Sequence, residues 1–353
     1  MTLFSSGRPI RRAAGWGVAS LLFISLASLV ILPSGYLIQR PGQVFNVMAE
    51  IDSQPVISSN DVPVYASESR FDVTTVSLLG NRESNPNWFQ VLIAWIDPNQ
   101  DVVPVDDVYP ANKTTAEVRA ESSAQMEISQ QDAIAAALIS QGYEVPRKLY
   151  VSSVIEGAPA SGILVGGDFV VSAAAVEVAT FEELREQVQK TEGAPLIIGV
   201  ERDGKLLEFE ITPGKRDDGY FIGAMVGYTY QFPVDIELQL GEVGGPSGGL
   251  MFTLGILDTI TEGSLAGANH VSGTGTISPT GEVGPIGGIR LKLIAAKQSG
   301  ATLFLAPEGN CAEVIGNVPE GLQVAIVRDL SDALDAVENL RLGNPLPAPS
   351  CTN

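Results

Sequence analysis

Histidine and cysteine are almost absent from this chain of 353 residues: one histidine, His270, and two cysteines, Cys311 and Cys351. Three such ligands cannot build a zinc site of the usual four-ligand kind, so no metal is expected. No cofactor is expected either. Gly199-Val-Glu-Arg-Asp-Gly-Lys-Leu206 approaches a phosphate-binding loop, but it has leucine where a hydroxyl should hold magnesium, and it lies across a hairpin pattern. Basic residues are scarce as well, 21 against 41 acids, for a net charge of −20. Four of them (Arg8, Arg11, Arg12, Arg40) fall in the first 40 residues, which contain no acid, leaving 17 bases against all 41 acids in the remainder. That field repels a phosphate backbone and excludes nucleic acid as a partner. What is present is a folding composition, 45% hydrophobic and 18% charged with mean hydropathy +0.19. The length leaves room for two or three domains at roughly 100–200 residues each.

No charge occurs between Arg12 and Arg40, and Ala13 to Leu32 is long enough to cross about 30 Å of hydrocarbon as a helix. Arginines before it and acids after it predict a cytoplasmic N-terminus over 1–12, a transmembrane helix over 13–35 and extracytoplasmic main domains. The bilayer is then a partner through Ala13–Leu32. A cleaved signal peptide would have a shorter apolar core, roughly 7–15 residues, and Leu32-Pro33-Ser34-Gly35 has no A-x-A site. Cys311 and Cys351 are expected to form a disulfide in an oxidising compartment, tying down the tail 344–353 with Pro345, Pro347 and Pro349.

Residues 41–142 read as a β-rich membrane-proximal region ending in a helix. Phe71–Leu79 and Trp88–Trp95 are predicted strands, and Ser129-Gln-Gln-Asp132 is a capping box opening a helix that Gly142 stops. No chemistry is visible there. Over 143–214 the order is strand, Gly/Pro turn, strand, helix and two strands joined at Asp203-Gly204. The turn Gly157-Ala-Pro-Ala-Ser-Gly162, Gly167-Asp168 before an apolar strand and the Arg202-Asp-Gly-Lys205 hairpin resemble a PDZ domain of the bacterial periplasmic-protease type. The resemblance implies a β-barrel domain that takes an extended peptide at a sheet edge beside a helix. Which residues would bind the peptide is unknown from the sequence.

In the last third, Gly244-Gly-Pro-Ser-Gly-Gly249 precedes the apolar run Leu250–Leu257. A serine in a glycine turn at the head of a buried helix lets a substrate backbone come close, and free helix N–H groups face whatever forms there. A helix cap is the plainer job for Ser247. As a nucleophile it needs a base. His270, the sole histidine, is one choice. Lys292 is the better one. Its helical neighbours Gly288, Ile289, Ala295 and Ala296 are small or apolar, so its amine belongs to a face that tends to be buried, where its pKa falls. A snorkelling lysine with its tip in water is the plainer reading here.

These residues resemble the proteolytic domain of the Lon family, which uses a serine–lysine dyad. Gly245-Pro-Ser-Gly-Gly249 matches the nucleophile motif, Pro285-Ile-Gly-Gly-Ile-Arg-Leu-Lys292 the lysine motif, and Thr274-Gly275 the strand whose hydroxyl helps position the lysine. The resemblance covers about 231–343 and implies catalytic roles for Ser247 and Lys292, with Thr274, Gly245, Pro246 and Gly248 as auxiliaries. It departs from the family at Gly248, where alanine is commoner, and at Gly244, where ATP-dependent members carry aspartate. The whole order is similar to the YlbL-like membrane-anchored PDZ/Lon-type proteases. The expected fold is therefore an α+β multidomain chain: transmembrane helix, β-rich region, PDZ-like barrel and α/β proteolytic domain. The expected function is ATP-independent hydrolysis of unfolded or flexible proteins by a membrane-anchored serine endopeptidase, with a second copy of the chain (a homo-oligomer) among its partners. The alternative is a PDZ-bearing scaffold with an inactive protease-like domain.

Overall fold

The computed structural model describes residues 9–51, 53–216, 219–239, 244–346 and 349–351. Among them no helix is long and apolar enough to cross a membrane. That finding overturns the expected transmembrane segment Ala13–Leu32, and with it the single-pass placement and the lipid partner. The segment does form a helix, α1 (Pro9–Ile31). Its first turns carry Arg11 and Arg12, however, and Ser20, Ser25 and Ser28 interrupt the run that follows. Residues 1–8, with Arg8, lie outside the described residues, as do Gly241–Val243 of the glycine turn and Pro347 of the tail.

The expected separate β-rich region is also corrected. Three of its strands, β1 (Tyr36–Asn46), β2 (Arg70–Leu79) and β3 (Asp101–Pro104), belong to the same sheet as strands far downstream. Between β2 and β3 the Trp88–Trp95 stretch is a helix, α2 (Trp88–Ile96). Asn87 and Gln90 cap it reciprocally, and Val91 and Ala94, three apart, are its buried residues. The next helix, α3 (Thr115–Ser140), starts well before Ser129, because Thr114 and Glu117 form the capping box.

The PDZ-like unit follows as an insertion. Its elements are β4 (Arg147–Val154), β5 (Phe169–Ala173), α4 (Phe181–Lys190), β6 (Leu196–Arg202), β7 (Lys205–Ile211) and β8 (Ala224–Tyr230). The strand order is β7-β6-β5-β4-β8, an open sheet with β8 at one edge. Antiparallel pairing of β4 with β8 puts Arg147 beside Tyr230, so the insert begins and ends at one place. Asp168 and Arg202, two of its sequence marks, are bound to each other. The guanidinium meets the fully buried carboxylate at 2.6 and 2.7 Å, and the Val165 N–H donates to the same group.

The chain then returns to the first sheet through α5 (Gly249–Ile260), β9 (His270–Gly273), α6 (Ile289–Ser299), β10 (Leu303–Pro307), β11 (Gln323–Val327) and α7 (Leu330–Leu342). The order is β11-β10-β9-β2-β1-β3, parallel from β11 to β2 and antiparallel beyond. Both faces are covered, which is why β10 reads Leu-Phe-Leu-Ala-Pro without polar alternation. Leu303 and Leu305 pack into the core with α3 and α5, whereas Phe304 and Ala306 pack into the core with α6. Cys311 and Cys351 are joined by a disulfide, which holds the tail against the short helix Cys311–Val314.

Arg202→Ala would leave the Asp168 carboxylate buried without its cation. Loss of about 3–5 kcal/mol from the unit spanning 147–230 is expected in chemical denaturation, with partial recovery in the double variant Asp168→Asn/Arg202→Ala.

Candidate active site

Three segments converge at the C-terminal end of β9, beside the middle of β2. The first is the glycine turn, Pro246–Gly248 forming a 3-10 turn that runs into α5. Gly245 opens it with φ +86°, a left-handed conformation that a side chain would strain. The turn is held from two sides. On one, Gly275 N–H donates to the Ser247 carbonyl at 2.8 Å and Leu250 N–H to the Gly275 carbonyl at 3.1 Å. On the other, α3 lies over it: Gly245 N–H donates to the Ser122 carbonyl at 2.9 Å, and Ser129 Oγ to the Pro246 carbonyl at 2.9 Å.

The second segment is α6. Left-handed Gly288 starts it and left-handed Gly300 ends it, and the face carrying Ile289, Lys292, Leu293 and Ala296 is buried. Lys292 is only 4% exposed. Burial alone lowers its pKa from the usual 10.5 to about 8. Arg290, on another face, is bound to the Gln100 carbonyl and to Asp101, which fixes α6 to the N-terminal half of the sheet.

The third segment is Thr274, just beyond β9 and buried. Lys292 Nζ lies 2.9 Å from Ser247 Oγ and 2.9 Å from Thr274 Oγ1. The Thr274 hydroxyl donates its own proton to the Ser247 carbonyl at 3.0 Å. Its oxygen can therefore only accept from the amine. In the neutral amine, one N–H is committed to Thr274, which leaves the nitrogen lone pair free to face the serine hydroxyl.

Ser247, Lys292, Thr274, Gly245, Pro246 and Gly248 thus come together, and His270 does not join them. Its Nε2 lies 2.5 Å from Asp72, whose carboxylate also binds Arg70, so geometry gives it no part at Ser247. The two departures from the family pattern have steric partners. A methyl at Gly248 would meet the Phe252 ring at 2.8 Å, and one at Gly244 would meet Ser122 Oγ at 2.5 Å. Beside the serine and lysine is a cavity of about 190 Å³ lined by Val73, Thr75 and Val76 of β2, Met126 of α3, and the glycines 244, 248 and 287. The residues from β2 and α3 carry no local sequence signal of a site. Only the partnering of distant segments brings them there.

A family profile described as Lon protease (S16) C-terminal proteolytic domain covers part of this same fold. Residues 233–342 match it. A curated Lon protease, from Acinetobacter baumannii (strain AB307-0294), is 34% identical over 93 residues. Those residues are 26% of this chain, and the chain spans 11% of that relative's length. Solved structures similar to the chain include two PDZ domains of SdrC-like proteins. The one from Listeria monocytogenes is 21% identical, over 22% of this chain and 85% of its own, with a TM-score of 0.21. The one from Listeria innocua is 26% identical, over 22% and 92%, with a TM-score of 0.21. The Lon-type match supports a serine peptidase, and it includes Ser247, Thr274 and Lys292 but neither β2 nor α3.

Thr274→Val would remove the acceptor that orients Lys292 and would leave an N–H unsatisfied in a buried place, at a cost of about 1–3 kcal/mol. Labelling of Ser247 by a fluorophosphonate, followed by mass spectrometry, should slow by roughly 10–100-fold.

Proposed function

We propose that this chain is a serine endopeptidase in which Lys292 is the general base for Ser247. The observation that carries the reading is the 2.9 Å approach of a buried amine to the serine hydroxyl at the head of α5. Near pH 8 half of that amine is neutral. Ser247 Oγ attacks the peptide carbonyl carbon as its proton passes to Lys292 Nζ. The C–N bond then breaks, and Lys292 returns the proton to the departing amine, leaving an ester on Ser247. Water attacks the ester carbon, Lys292 takes a proton from it, and the C–O bond to Ser247 breaks as that proton returns to Oγ. Gly245 N–H is engaged by Ser122. The oxyanion is therefore served by the N–H groups of Ser247 and Gly248 at the helix entrance.

The substrate class is unfolded or flexible protein. The one stretch resembling a phosphate loop closes the β6–β7 hairpin, where Arg202 pairs with Lys205, so it supports no ATP-driven unfolding. The PDZ-like unit has a groove of about 350 Å³ between α4 and the edge strand β8, lined by Leu184, Val188, Met225 and Val226, with Arg185 and Arg216 also on its wall. A peptide strand added to β8 would lie in it.

Ser247→Ala and Lys292→Ala should each abolish cleavage of a permanently unfolded protein, and undiminished turnover in both variants would refute the dyad. The wild-type rate should rise with pH through about 8, because deprotonation supplies the base. Stability should rise between about pH 8 and the ordinary lysine value, because there the unfolded chain binds the proton that folded Lys292 has lost. Lys292→Met should flatten that rise in denaturation curves taken at both ends of the window.

A further inference from the structure

The wall of the cavity facing Lys292 is not part of the segment that matches the Lon-type domain. Val73 and Val76 come from β2 and Met126 from α3, whereas the match begins at residue 233. Helix α3 is pinned over the nucleophile turn at Ser122 and again at Ser129. Met126 lies between them at i+4 and i−3, so its side chain is directed to the same face. It is 6% exposed, and α3 cannot draw back without breaking both hydrogen bonds. Among the described residues the lining offers one charged group, the Lys292 amine; the others are apolar, glycine or hydroxyl.

We infer that this cavity receives the side chain on the acyl side of the scissile bond, and that Met126 sets the largest side chain accepted. The inference rests on the reading of Ser247 and Lys292 as the catalytic pair. A cavity of about 150 Å³ holds a benzene ring, so about 190 Å³ admits a leucine, methionine or phenylalanine side chain, and an indole, with its second fused ring, has the least slack there. A guanidinium there would lose its water without gaining a counter-charge, and a carboxylate would find one only in the Lys292 amine, which it would hold protonated and so remove as the base; both are disfavoured. Methionine is an unbranched, adaptable wall, so the limit it sets is one of volume more than of shape. The sequence of the matched domain alone therefore does not determine what is cut; a helix that precedes the PDZ-like insert does.

The test is a digest of a reduced, alkylated, unfolded protein by the full chain, with cleavage sites counted by mass spectrometry. The readout is the ratio of cleavage after phenylalanine to cleavage after alanine within one digest, which a general loss of activity or of folded protein leaves unmoved. Wild type should cut after leucine, methionine and phenylalanine, less often after tryptophan, and rarely after aspartate or lysine. Met126→Ala should raise cleavage after tryptophan relative to phenylalanine, and Met126→Phe should lower the phenylalanine-to-alanine ratio by at least about tenfold. Ratios equal in all three proteins, or a wild-type preference for charged residues, would overturn the inference while leaving the catalytic pair intact. A wild-type protein that neither cuts nor labels at Ser247 would refute the catalytic pair, and this inference with it.

Discussion

A lysine side chain inside a protein is a liability unless its charge is given up or matched, and among the described residues no carboxylate lowers the cost at Lys292. Burial lowers its pKa, with no opposing anion among those residues. Everything around the site follows from keeping it that way. The Leu293 and Ile289 side chains fill the interior next to it, Thr274 takes one N–H, and Ser247 is left as the partner of the lone pair. Asp72, the buried acid on β2, is consumed by Arg70 and His270. A free carboxylate beside Lys292 would raise its pKa toward the ordinary value and remove the base.

The sheet makes this arrangement rigid by combining two kinds of pairing. Parallel strands β9 and β10 lead to Thr274 and form the floor under α5, while β2, paired antiparallel with β1, supplies part of the cavity wall. Helix α3 joins the two units. Its Ser122 and Ser129 hold the glycine turn, and one turn further on Asp132 accepts from the Tyr230 hydroxyl at the end of β8. Burial holds the Asp132 carboxyl up at about 6 despite that hydrogen bond. The Tyr228 hydroxyl, two residues back on β8, accepts from the Phe181 N–H at the start of α4.

How much of this was legible in the sequence differs by segment. The elements around Ser247 and Lys292 were readable because they are local: a glycine turn before an apolar helix, and a lysine whose helical neighbours are small. The PDZ-like marks Asp168 and Arg202 were visible as residues, though their mutual bond required the fold. The first third misled. Seven apolar and aromatic residues among the eight at 88–95 fit a strand and a helix equally, and the Asn87–Gln90 cap decided for the helix. Ser129-Gln-Gln-Asp132 had the form of a helix start, yet Ser129 is mid-helix and spends its hydroxyl on Pro246. The apolar run at 13–32 was long in sequence but broken by serines. None of the contacts from β2 or α3 to the site could be read, because they join residues more than a hundred positions apart.

The meeting of Arg147 with Tyr230 gives the insert a further role in how the protein is assembled. His270 and Asp72 are 198 positions apart, and β2 and β9 pair directly. A loop that long closes slowly as a random coil. Once the middle unit has formed, its two ends are already neighbours, and the effective tether between the flanking halves shortens by the length of the insert. The interruption that divides the larger sheet in the gene order thus acts as a clasp during its folding.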